Sequence, residues 1–165
     1  MISGPAREKV VPDSSLRPKD LEIMAIKQTA NAHWEGSLVE GKGNVSLATS
    51  NSGSFDIDWK ARAEEAGGKT SPEELIAAAH SACYSMALSH GLTGAGTPPT
   101  SIDTKAEVSF QAGVGITGIH LTVRANVPGL SQEDFVTAAE GAKANCPVSK
   151  ALAAVENITL DAALV

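Results

Sequence analysis

One stretch of the sequence decides the fold, and it reads SPEELIAAAHSACYSMALSH over residues 71–90. Ser71 stands at an N-cap position, Pro72 follows at the first helical position, and Glu74 completes a capping box. After Glu74 the segment has no charged side chain and is small or apolar on nearly every side. A helix of this kind is usually buried on most of its faces. We therefore expect a long central helix that begins at Pro72 and ends in the Gly- and Pro-rich stretch 91–99.

Three strands are expected before this helix. Polar and apolar residues alternate over 28–34 and over 44–48, which predicts a hairpin around the turn-rich residues between them. The same alternation over 55–59 predicts a third strand with one solvated face. The polar, glycine-bearing run 61–70 is expected to be a loop that leads into the helix.

More strands and two more helices are expected after the central helix. Alternation predicts strands over 102–110, 119–127 and 158–164. Ser131 begins a capped helix that reaches Asn145, and a short helix is expected over 148–155. This order of elements indicates an α+β fold with an antiparallel bias, and its central helix is too apolar for a single sheet to cover.

Composition excludes several classes of function. The 165 residues carry a net charge of −6 and only 4% aromatic residues, so no strip of interleaved arginines and aromatics is available for nucleic-acid bases. No run of 18 apolar residues and no signal peptide is found, and we expect a cytoplasmic protein with no membrane partner. Residues 1–23 are expected to be a flexible extension, which is a native tail, a vector-derived segment or the result of a misassigned start, and 24–165 to be the functional domain.

The chain has two cysteines, Cys83 and Cys146. They are too few for a disulfide scaffold, so if they act together we expect them to carry redox chemistry. Cys83 lies in the alanine-rich helix, where an inert core cysteine is the plain alternative. Cys146 precedes Pro147 at a helix N-cap, which by local physics makes it the more acidic thiol, although it is equally a simple turn residue.

Other residues near the cysteines could take part in a site. His80 lies three residues before Cys83 on the same helical face, where it is either a catalytic partner or a satisfied core histidine. A zinc site would need His80, both cysteines and a fourth ligand, but no second H-x-x-C or C-x-x-C motif supports it, so we expect no metal and no cofactor.

Arg62 is the one arginine placed to serve a site near the central helix. Glu73 precedes Cys83 by ten residues, which in a continuous helix is about 15 Å of rise and roughly 80° of rotation. The two side chains should therefore not meet within one straight helix. Either the helix breaks, or a second chain contributes to the site.

The segment SPEELIAAAHSACYSM, residues 71–86, strongly resembles the OsmC branch of the OsmC/Ohr peroxidase family. Other landmarks of that family follow in the same order: AHWEG at 32–36, GKG at 41–43, PTSID at 99–103 and NCPVS at 145–149. The resemblance covers about residues 24–165.

The resemblance implies a thiol peroxidase that reduces organic hydroperoxides, and hydrogen peroxide less well. By position, Cys83 matches the peroxidatic cysteine and Cys146 the resolving cysteine. Arg62 matches the arginine that holds the thiolate and the peroxide, and Glu73 the acid that pairs with this arginine. Cys83 would become a sulfenic acid, form a disulfide with Cys146, and be reduced again by an external dithiol or thiol.

The family fold is an intertwined homodimer in which antiparallel sheets pack around two long central helices, with active sites at the subunit interface. Such a dimer would explain both the apolar helix and the offset between Glu73 and Cys83. The alternative is a dimeric binding protein without enzymatic activity, which holds an apolar ligand and uses its cysteines only for packing.

Overall fold

Two three-stranded sheets and four helices make up residues 25–165, the part of the chain that the computed structural model describes. The extension expected at 1–23 lies outside the described residues. In chain order the elements are β1 (Asn31–Glu35), β2 (Lys42–Ser46), β3 (Ser54–Asp58), α1 (Trp59–Ala63), α2 (Pro72–Gly94), β4 (Ser101–Gln111), β5 (Gly115–Asn126), α3 (Gln132–Asn145), α4 (Pro147–Ala151) and β6 (Ile158–Leu164).

The first sheet is antiparallel in the order β1-β2-β3, which confirms the predicted hairpin and third strand. That strand ends at Asp58 rather than at Trp59, because the Asp58 carboxylate accepts the Ala61 N–H at 2.7 Å and caps α1. The first residues of the expected loop 61–70 are therefore helical. No residue of β1, β2 or β3 is buried within the single chain.

The second sheet has the order β4-β5-β6 and is mixed. β4 and β5 are antiparallel, as expected, but β6 runs parallel to β5, with Ile158 opposite Ile119. The antiparallel bias expected from the sequence is wrong for this strand, because α3 and α4 carry the chain back across the sheet before β6 begins. One face of β5 is buried along its length, and the residues on that face are Ile119, Leu121, Val123 and Ala125.

The central helix α2 begins at Pro72 as predicted and is continuous to Gly94. The Ser71 hydroxyl accepts the Glu74 N–H at 3.2 Å, whereas the Glu74 carboxylate accepts the Thr70 hydroxyl at 2.6 Å. Only half of the expected capping box is therefore formed. One face of α2 is buried, and the buried residues on it recur at intervals of four: His80, Tyr84, Leu88 and Leu92.

Helix α3 packs its own buried residues against α2. Ser131 caps α3 by accepting the Asp134 N–H at 3.1 Å, as predicted. The buried Tyr84 hydroxyl of α2 donates to the Ala139 carbonyl of α3 at 2.9 Å, and Phe135 completes the contact. The short helix expected over 148–155 is α4, which begins one residue earlier and ends at Ala151. None of the helices within 25–165 combines the length and apolarity needed to cross a membrane.

We expect Tyr84→Phe to lower the free energy of unfolding by about 1 kcal/mol, because it removes a buried hydrogen bond while keeping the ring. Thr137→Ala is the matched control, since the exposed Thr137 hydroxyl also donates to an α3 carbonyl, that of Glu133, at 3.1 Å. Thr137→Ala should lower the free energy of unfolding by less than about 0.5 kcal/mol. Urea unfolding at one fixed protein concentration measures both, and equal losses would contradict the assignment.

Candidate active site

The fold brings together two cysteines that are 63 residues apart in the sequence. Cys83 lies on α2 and is partly exposed, whereas Cys146 lies between α3 and α4 and is fully buried. Both are free thiols. Cys83 packs against the buried cluster that contains Cys146, and each thiol shifts the pKa of the other.

The surroundings push the pKa values of the two thiols apart. Burial raises the pKa of Cys83, and the Cys146 thiol raises it further, although the Val148 backbone amide opposes both effects. Burial also acts to raise the pKa of Cys146, but the backbone amide and hydroxyl of Ser149, together with the Cys83 thiol, outweigh it and lower that pKa. In the single chain Cys146 is the more acidic thiol, in line with the expectation from its N-cap position.

Arg62 and Glu73 form the second half of the expected site. The Arg62 Nη2 and Nε atoms donate to the Glu73 carboxylate at 2.8 Å and 3.1 Å, and the carboxylate is buried. The guanidinium lies over the Phe110 ring, 4.3 Å from its centroid, and Trp59 packs against that ring in a T-shaped arrangement. The ion pair is thus held within one chain, with Arg62 supplied by α1. Sequence reasoning did not single out Phe110.

The ion pair and the thiols are separate within one chain. α2 does not break between Glu73 and Cys83, so ten residues of regular helix separate them by about 15 Å. Of the two possibilities raised by the sequence, a broken helix is therefore excluded. No cation is among the groups that lower the pKa of Cys83 within the described residues.

His80 does not pair with Cys83 but with a serine that the sequence reasoning gave no role. The His80 Nε2 lies 2.8 Å from the Ser149 Oγ, and both residues are buried. The expectation of a satisfied core histidine is met at one ring nitrogen only, because the buried Nδ1 has no hydrogen-bond partner among residues 25–165. Burial lowers the pKa of His80, so the ring is neutral.

The described residues do not provide the ligands that a zinc site would need. No group of three or more His, Cys, Asp or Glu side chains within 25–165 is arranged to hold a metal ion. A structural zinc site needs four such ligands in tetrahedral geometry. The two thiols instead have a serine hydroxyl and a histidine ring near them, an arrangement that suits thiol redox chemistry.

Comparison with known proteins identifies the family. The family model described as OsmC-like protein matches residues 65–161. The chain belongs to the OsmC-like family. It is 47% identical over 141 residues to Peroxiredoxin OsmC of Escherichia coli (strain K12), covering 84% of this chain and 96% of that protein. This identity confirms the predicted enzyme class, and the protein is a peroxidase, an oxidoreductase.

Solved structures agree with the family assignment. The organic hydroperoxide resistance protein OsmC from Legionella pneumophila aligns with a TM-score of 0.61 at 25% identity, over 84% of this chain and 96% of that chain. The organic hydroperoxide resistance protein OhrB of Bacillus subtilis also aligns with a TM-score of 0.61 at 25% identity, over 83% of this chain and 98% of that chain. The expected α+β class is confirmed.

We expect Arg62→Ala to destabilise the fold by about 2 kcal/mol, because it leaves the buried Glu73 carboxylate without its cation. Adding Glu73→Gln should recover part of the loss, since a neutral amide costs less to bury. Arg124→Ala is the control, because the Arg124 to Asp161 pair has the same 2.8 Å separation but is exposed. Arg124→Ala should lower the free energy of unfolding by less than about 1 kcal/mol. Similar unfolding free energies for both single variants would contradict this prediction.

Proposed function

We propose that this protein is a cysteine-based peroxidase that reduces organic hydroperoxides, and hydrogen peroxide less well, through Cys83 and Cys146. The observation that carries the proposal is that two free thiols from distant parts of the chain, one partly exposed and one buried, pack in the same cluster. An exposed thiol that can attack and a neighbouring thiol that can resolve are the two parts that a disulfide-forming peroxidase needs. The similar proteins named for peroxide chemistry and organic hydroperoxide resistance support this substrate class.

The proposed cycle begins at Cys83. Its thiolate attacks the distal oxygen of the hydroperoxide, the O–O bond breaks, and an alkoxide leaves and takes up a proton to become an alcohol. Cys146 then attacks the sulfur of the Cys83 sulfenic acid, the S–O bond breaks, and the oxygen leaves as water with the thiol proton. An external dithiol or thiol reduces the resulting disulfide and returns both cysteines to thiols.

Exposure favours Cys83 over Cys146 as the attacking residue. Cys146 is fully buried, so a hydroperoxide cannot reach its sulfur without displacing other groups, whereas Cys83 is partly exposed. Acidity in the single chain favours Cys146 instead, because burial raises the pKa of Cys83. A guanidinium brought beside Cys83 would reverse this order, since a nearby cation favours the thiolate and would also stabilise the leaving alkoxide.

A second copy of the chain could supply that guanidinium. Two α2 helices related by a two-fold axis and crossing antiparallel near Ala78 place the Glu73 level of one helix beside the Cys83 level of the other, because residue 78 lies midway between them. Ala78 and Ala79 are small and exposed, which permits a close helix crossing, and Met86 farther along α2 is 66% exposed. The pair Arg62 and Glu73 of one protomer would then reach Cys83 of its partner.

The first sheet supports the same homodimer. β1, β2 and β3 bury no residue in the single chain, and Trp34 and Phe55 are 39% and 40% exposed. A small three-stranded sheet is stable when its apolar face is covered by another sheet or helix. A second protomer lying across both α2 and this sheet would cover the two exposed apolar surfaces together.

One equivalent of an alkyl hydroperoxide should convert both thiols of the wild-type protein to a disulfide, as measured by mass spectrometry. Cys146→Ser should stop at a sulfenic acid that dimedone traps, whereas Cys83→Ser should not react quickly, because its remaining thiol is buried. Arg62→Ala should slow the first step on the order of 10²–10³-fold, and the exposed Arg124→Ala control should not. Unconsumed peroxide and two free thiols would instead favour a protein that binds an apolar ligand.

Mixed dimers test which chain supplies Arg62. Cys83→Ser and Arg62→Ala proteins are each expected to be nearly inactive, and refolding them together in equal amounts should restore about a quarter of the wild-type peroxidase rate. The reason is that a mixed dimer then contains one site with an intact Cys83 and an intact Arg62 from opposite chains. Refolded mixtures that stay inactive would show that each chain builds its own site, and an ultracentrifugation run checks that dimers form.

A further inference from the structure

Two neighbouring contacts join α2 to the Cys146–Ala151 segment. On α2, His80 and Cys83 are three residues apart and share one face. On the facing segment, Cys146 and Ser149 are also three residues apart, within one turn that the Lys150 N–H to Cys146 carbonyl bond closes at 3.0 Å. Cys83 packs against the cluster that contains Cys146, and the His80 Nε2 lies 2.8 Å from the Ser149 Oγ. The proposed peroxidase cycle uses only the first contact.

We propose that Ser149, held in place by His80, hydrogen-bonds the Cys146 sulfur as it becomes a thiolate, and so makes Cys146 the leaving group when an external dithiol reduces the Cys83–Cys146 disulfide. The inference rests on the proposed function for its place in a cycle. Ser149 and His80 are positioning residues here, because they act through Cys146 and touch no substrate.

The direction of the hydrogen bonds follows from the buried histidine. The His80 Nδ1 has no partner in the described part of the chain, so a proton on that atom would be a donor without an acceptor, and we assign the proton of the neutral ring to Nε2. Nε2–H then donates to the Ser149 oxygen, which leaves the Ser149 hydroxyl hydrogen free to donate to sulfur. With the opposite tautomer, that hydrogen would be used on the histidine and none would remain for Cys146.

Exposure decides which sulfur a reductant can attack. Cys83 is partly exposed and Cys146 is fully buried, so a dithiol reaches the Cys83 Sγ first. One thiolate of the dithiol bonds to that sulfur, the S–S bond breaks, and Cys146 leaves with the electron pair. The second thiolate of the dithiol then displaces Cys83, and the reductant becomes a cyclic disulfide. A stabilised leaving thiolate speeds the first of these displacements.

Few other titratable groups bear on Cys146. Cys83 and Tyr84 face it from α2, and the Tyr84 hydroxyl is committed to the Ala139 carbonyl at 2.9 Å. On α3, Glu140 and Lys143 are paired with each other at 2.7 Å. Lys150 on α4 is exposed. None of these charged side chains is among the main groups that shift the pKa of Cys146; the backbone amide and the hydroxyl of Ser149 come first among those that lower it.

Thiolate absorbance at 240 nm tests the hydrogen bond without any peroxide. In a Cys83→Ser background Cys146 is the single thiol, and Ser149→Ala should raise its pKa by about one unit, which is about tenfold less thiolate at neutral pH. Ser149→Thr should restore the wild-type pKa because it keeps the hydroxyl. A pKa unchanged by Ser149→Ala, or raised equally by Ser149→Thr, would overturn the proposal.

A double-mutant cycle tests the role of His80. His80→Phe keeps the ring volume and removes both nitrogens, and it should raise the pKa of Cys146 when Ser149 is present. In the Ser149→Ala background it should have little further effect, because it acts through that hydroxyl. Additive shifts would show that His80 acts on the thiol by another route. Thermal unfolding of each variant establishes that the titrated protein is folded.

Reduction of the disulfide tests the leaving-group role. Diamide forms the disulfide whether or not the protein reduces peroxides, so this result is independent of the peroxidase proposal. Ser149→Ala should slow reduction by dithiothreitol about tenfold, with Ser85→Ala, a part-buried hydroxyl on α2, as the control. 2-Mercaptoethanol should leave its adduct on Cys83, as mapped by peptide mass spectrometry. An adduct on Cys146, or an unchanged rate in Ser149→Ala, would contradict the assignment.

Discussion

The burial of one stripe of α2 is the constraint on which the rest of the molecule depends. His80, Tyr84, Leu88 and Leu92 recur every four residues and fix the rotation of the helix about its axis. Cys83 is next to Tyr84, so that rotation also decides where its sulfur points. The Tyr84 hydroxyl donates to a carbonyl of α3, the helix that ends one residue before Cys146. The same packing that forms the core therefore also determines where the two thiols lie.

Local chemistry made much of this architecture predictable. The Ser71 and Ser131 caps lie beside their own helices, so their signals are contained in a few residues, and both helices begin where the sequence indicates. The alternation in β4 and β5 likewise reports a buried face directly. The pairing of Arg62 with Glu73 followed from the family resemblance, and the structure forms that ion pair within one chain.

The features that the sequence did not reveal depend on residues distant in the chain. Alternation in β6 shows a half-buried strand but carries no information on its direction, which the α3 and α4 crossover determines. Asp58 ended β3 one residue early because its side chain caps α1, although Trp59 fits the strand pattern. His80 and Ser149 are 69 residues apart, so no local motif could have linked them.

The parallel pairing of β6 has a consequence for how the molecule is made. The connection from β5 to β6 contains Cys146, and it becomes a closed loop only when β6 docks beside β5. During synthesis Cys83 and Cys146 both emerge before that strand, at a stage when the segment around Cys146 is anchored at one end only. In the folded chain, β6 thus anchors the second end of the connection that carries Cys146 and limits the positions that this segment can take.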